Sequence, residues 1–113
     1  MADPATEAPL LDLISRMTAD SLEATSLDGA TLMLVRIAAL VAVDAPPVSY
    51  VVNLGAAADL DIDAKQVEGV LAAVAPIVGT ARVASAASKI VRALALEIEL
   101  AELEAESDEG SAT

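Results

Sequence analysis

The chain has 113 residues, of which 6 are basic and 18 acidic, for a formal net charge of −12. It contains no Cys, His, Trp or Phe, and a single Tyr. These absences exclude a disulfide framework, thiolate redox chemistry and imidazole acid–base catalysis. The excess negative charge argues against binding a nucleic-acid backbone, which requires an extended basic surface. A length near one hundred residues fits one domain. The expected layout is a tail over residues 1–9, a helical domain over 10–105 and an acidic tail over 106–113.

The hydrophobic fraction is 56% and is built almost entirely from Ala, Leu, Val and Ile. Alanine is the best intrinsic helix former, and small side chains let helices approach closely. Such an apolar load in so small a domain points to faces that subunits bury against one another. Membrane insertion is not expected. The longest apolar stretches, 37–43 and 70–79, fall short of the roughly 20 residues of a span, and the second contains Pro76. The first residues carry acids where an export signal carries bases, so the expected location is cytoplasmic.

In chain order, Leu10, Leu13, Ile14 and Met17 recur at helical spacing and predict a first helix with an inward stripe. Asp20 to Glu23 has capping-box form and predicts a separate short helix. Asp28 is the expected N-cap of a helix over 29–43, with Met33, Ile37, Leu40 and Val41 facing inward. Pro46 and Pro47 end it, and Pro47 opens the next helix, over 47–59. Asp63 and Gln66 form a capping box, flanked by the hydrophobic staple of Ile62 and Val67. The helix they start carries Val67, Val70, Leu71 and Val74 until Pro76 and Gly79 close it. Thr80 caps a long last helix over 81–105, whose small residues Ala81, Ala84, Ser85 and Ser88 predict close helix packing. No segment alternates with period two, so the fold class is all-α.

Two of these runs resemble a known family. Asp28 to Ala42 (DGATLMLVRIAALVA) is similar to the opening helix of the carboxymuconolactone decarboxylase / alkyl hydroperoxidase D-like family. Ile62 to Gly79 (IDAKQVEGVLAAVAPIVG) is similar to its second hallmark helix. The resemblance spans roughly residues 28–95. It implies a compact orthogonal bundle of helices that assembles with copies of itself into trimers or hexamers. It also places Pro46, Ser49 and Asn53 where peroxidase-type members carry C-x-x-C-x-x-x-H, and the decarboxylase branch's His is likewise replaced. Neither chemistry carries over, because Pro, Ser and Asn supply no redox thiol and no proton shuttle near neutral pH.

Candidate ligand-binding residues are Arg36, Ser49, Tyr50, Asn53 and Arg82. Ser49, Tyr50 and Asn53 are the polar groups of an otherwise apolar helix and form either a remnant pocket or ordinary packing contacts. Arg36, between Val35 and Ile37, must snorkel to water or find a carboxylate, for which Glu68 is the expected partner; the alternative is a clamp on a substrate carboxylate. Arg82, Ser85, Lys89 and Arg92 form one stripe, expected to pair with Asp59, Asp61 and Asp63 or with the acidic end of a neighbouring subunit, the alternative being an anion site. Those three aspartates lack the spacing of a calcium loop. Neither a metal nor a cofactor is expected. The reading that results is a non-catalytic, self-associating interaction protein. Its alternative is a cofactor-free enzyme or small-molecule binder using a pocket around Tyr50, Asn53 and Arg36.

Overall fold

A computed structural model describes residues 8–112, and every regular element among them is a helix. The helices are α1 (Pro9–Ala24), α2 (Gly29–Ala42), α3 (Pro47–Ala58), α4 (Ala64–Val78) and α5 (Thr80–Ala112). Residues 1–7 of the expected N-terminal tail lie outside the described residues.

The helix starts follow the sequence signals. The Asp28 carboxylate accepts the Thr31 amide at 2.8 Å and the Thr31 hydroxyl at 3.1 Å. The Asp63 carboxylate accepts the Gln66 amide at 2.8 Å, while the Gln66 side chain accepts the Asp63 amide at 2.9 Å. Pro9 and Pro47 each open a helix, where a missing N–H goes unneeded.

The helix ends use a device the sequence reading missed. Asp44 (φ 53°) and Asp61 (φ 61°) both take the left-handed conformation just past α2 and α3. The amide of the next residue then reaches back along the helix, Ala45 to the Leu40 carbonyl at 3.0 Å and Ile62 to the Ala57 carbonyl at 3.1 Å. Ala45 and Ile62 are themselves buried, which adds an apolar contact to each stop. Gly79, at φ 88°, is the only residue between α4 and α5, and glycine alone takes that geometry without strain.

The core lies where α2, α3, α4 and α5 meet. Ile37, Val41 and Tyr50 are fully enclosed, surrounded by Met33, Leu54, Ala57, Val67, Ala86, Ile90 and Ala93. Ala86, Ile90 and Ala93 fall on one face of α5, and the two alanines let it settle closely onto α3. The expected close-packing stripe is therefore corrected. Ala81, Ala84 and Ser88 are exposed, because the face that meets α3 is rotated away from them.

Three further expectations change. The first helix and the short helix from Asp20 are one continuous α1, since nothing between Met17 and Asp20 breaks helical geometry. The stripe of α1 does not reach the core: Leu10, Leu13, Ile14 and Met17 are exposed, and no Cα atom of α1 lies within 8 Å of another helix. Finally, α5 continues past the boundary expected at residue 105, to Ala112. The described residues measure 50 × 38 × 27 Å.

Candidate functional site

Three places gather polar or concave features. The first is a groove of about 370 Å³ between α1, α2 and α3, lined by Ile14, Met17, Thr18, Ser21, Arg36, Ala39, Leu40 and Asn53. The α1 side of this groove is aimed by helical periodicity, since residues 14, 17, 18 and 21 share a face. Arg36 is half-buried, and its Nη2 donates to the Ser21 hydroxyl at 3.1 Å. Asn53, one turn after Ser49, donates its side-chain amide to the Ser49 carbonyl at 2.8 Å. The expected Arg36–Glu68 pair is not formed. Glu68 lies on α4 at the rim of a different cavity, and Arg36 turns toward α1 instead.

The second place is the joint between the α2–α3 turn and α5. The Asp44 carboxylate accepts the Ser85 hydroxyl at 2.7 Å and the Lys89 ammonium at 2.9 Å. Lys89 also donates to the Ala45 carbonyl at 2.9 Å, and Arg82 donates to the Ala42 carbonyl at the end of α2. The basic stripe of α5 thus grips a helix C-terminus, where a cation is favoured by the helix dipole. The pairing expected with Asp59, Asp61 and Asp63 is corrected: Asp63 is occupied in its capping box, and the stripe faces the opposite end of α3. The Lys89 hydrogen bond, followed by that of Ser85, holds the Asp44 carboxyl below the ordinary aspartate value of 3.8.

Tyr50 belongs to neither a groove nor a network. Its side chain is 0% exposed and its hydroxyl has no hydrogen-bond partner. Burial pushes the phenol above its usual value of 10.0, and the charge of Asp44 adds to the effect. Tyr50, Ser49, Asn53 and Arg36 therefore do not form one pocket. Arg36 and Asn53 share the first groove, Ser49 contributes a carbonyl beneath Asn53, Tyr50 is core, and Arg82 acts at the α2 terminus.

The third place is an apolar cleft of about 270 Å³ between α3, α4 and α5. Leu54, Val67, Leu71, Ile90 and Leu94 wall it, with Asp63 and Glu68 among its lining residues. Among the described residues no group of three or more acidic side chains is placed to hold a metal ion. No helix among them is long and apolar enough to cross a membrane. The sequence reading did not pick out Asp44, Ile14, Met17 or Ser21 as site residues. For Asp44 a signal existed, an aspartate directly after an apolar helix, since Asp tolerates the left-handed conformation.

No family model, curated protein or solved structure matches this chain.

Proposed function

We propose that this protein is a non-catalytic, self-associating helical subunit, an interaction protein on a frame similar to the carboxymuconolactone decarboxylase / alkyl hydroperoxidase D-like family. One observation carries the reading. Leu10, Leu11, Leu13, Ile14, Met17 and Leu22 of α1 are between 47% and 66% exposed, on a helix whose Cα atoms come within 8 Å of no other helix and which the Arg36–Ser21 hydrogen bond ties to α2. A helix of this length is marginal alone in water and gains stability by burying its apolar face. A second copy supplies that cover, and closed symmetry lets the same surface serve every subunit. The family resemblance favours three copies or a multiple of three.

Light scattering across micromolar concentrations tests this directly. The wild-type chain should give a multiple of the 11.4 kDa subunit mass. The double variant Leu11→Glu/Leu22→Glu, on exposed positions, should fall toward the single-subunit mass with its helical circular dichroism retained. A wild-type protein that stays at the single-subunit mass at these concentrations rules the proposal out.

A further inference from the structure

The groove between α1, α2 and α3 holds two polar side chains, Arg36 and Asn53, that the self-association reading leaves unused. It is a shallow trough of about 370 Å³, open to solvent rather than enclosed. Ile14, Met17, Ala39 and Leu40 give it apolar walls, and Arg36 and Asn53 bring polar groups into it.

Arg36 is the informative residue. A guanidinium has about five N–H donors, and the one hydrogen bond from the Arg36 side chain goes to Ser21. Among the described residues the one ion pair is Lys89 with Asp44, so none of their carboxylates pairs with Arg36. The acids of α1 do not supply a partner. At about 3.6 residues per turn, Asp12 and Glu23 fall on the face of α1 opposite Ile14, Met17 and Ser21, and Asp20, to the side of that face, forms no ion pair with Arg36. A half-buried cation between apolar walls is completed by an anion that brings its own apolar body. The side-chain amide of Asn53 has a second N–H beyond the one given to Ser49, and it shares the groove with Arg36.

We infer that this groove binds an amphipathic monocarboxylate, an aliphatic acid whose carboxylate pairs with Arg36 while its chain lies against Ile14, Met17 and Leu40. The ligand's charge completes the guanidinium, and its chain takes exposed Met17 and Ile14 out of water. Ile14 and Met17 also belong to the face that self-association would cover, so Leu11→Glu/Leu22→Glu, which removes the second copy and leaves the groove residues intact, separates the two readings.

Isothermal titration of the full chain with decanoate and with 1-decanol tests it. Decanoate should bind saturably at one molecule per chain, and decanol at least about tenfold more weakly, since the charge-assisted pair is lost. Arg36→Met, which keeps the apolar stem, should lose at least the same factor for decanoate and leave decanol unchanged. Met17→Glu, at a position already 61% exposed, should weaken decanoate by placing a like charge in the wall. Leu11→Glu/Leu22→Glu should bind decanoate at least as tightly as the wild type, since it keeps the groove and loses the copy that would cover Ile14 and Met17. Equal affinity for the two ligands, undiminished decanoate binding by Arg36→Met, or no saturable binding by the wild type overturns the inference.

Discussion

Tyr50 shows how one residue type can mislead a sequence reading. In an Ala/Val/Leu chain the sole aromatic ring, beside Ser49 and near Asn53, looks like the polar handle of a pocket. The structure encloses it beside Ile37 and Val41, because its ring fills volume that alanines around it cannot. Periodicity locates a face but does not say how deep that face lies, and depth decides whether a hydroxyl is a ligand or a burden. A buried hydroxyl without a partner costs about 1–3 kcal/mol relative to its hydrated state. Tyr50→Phe removes that oxygen and keeps the ring. The expected outcome in chemical denaturation is a variant as stable as the wild type or more stable, by up to roughly 1–2 kcal/mol. A loss of more than about 1 kcal/mol would show that the hydroxyl is satisfied in solution.

Among the elements, α2, α3 and α4 were legible because their signals are local. A cap and its amide lie three residues apart, so Asp28 with Thr31 and Asp63 with Gln66 can be read directly from spacing. The docking of α5 was not legible, since Ser85 and Lys89 meet Asp44 across more than forty residues of chain. Nor was the placement of α1, whose apolar stripe is the same whether its cover comes from its own chain or another. The Asp44 joint has a consequence for acid stability. Its folded pKa is depressed by Lys89 and then by Ser85, as that of Asp28 is by the Thr31 amide and hydroxyl. A depressed carboxylate contributes stability that is present above its unfolded pKa, about 3.9, and lost as pH falls through the folded value. Asp44→Asn keeps a side chain that accepts the left-handed conformation but removes the charge. The variant should melt lower than the wild type at pH 7. It should also lose less between pH 5 and pH 3, so that the two curves converge in acid. Parallel acid limbs would mean that the Lys89 pairing adds no stability in solution.

At the scale of the whole molecule, charge and apolar surface pull in opposite directions. In the proposed assembly the exposed leucines of α1 would favour association, while each added copy would bring a net charge of −12. The distribution sharpens the conflict. Glu99, Glu102, Glu104 and Glu106 are exposed along the far part of α5, where the sequence offers no base after Arg92. Two attractions oppose this repulsion, the Lys89–Asp44 pair and the grip of Arg82 on the end of α2, and the ion pair is itself part-exposed. Exposed pairs contribute about 0–1 kcal/mol and are weakened by salt. The repulsion among many unpaired carboxylates is larger in number and acts over longer distances. Salt shortens that reach to about 8–10 Å near physiological strength, and it also strengthens the burial of apolar surface when the salt is of the excluded kind. Sodium chloride isolates the first effect. A thermal melt at pH 7 and fixed protein concentration should therefore shift upward between low and moderate sodium chloride, because association makes the midpoint depend on concentration. The shift should be larger for the wild type than for Leu11→Glu/Leu22→Glu, in which copies no longer stack their charges. A midpoint that falls with salt would place the balance with the Asp44 joint rather than with the acidic surface.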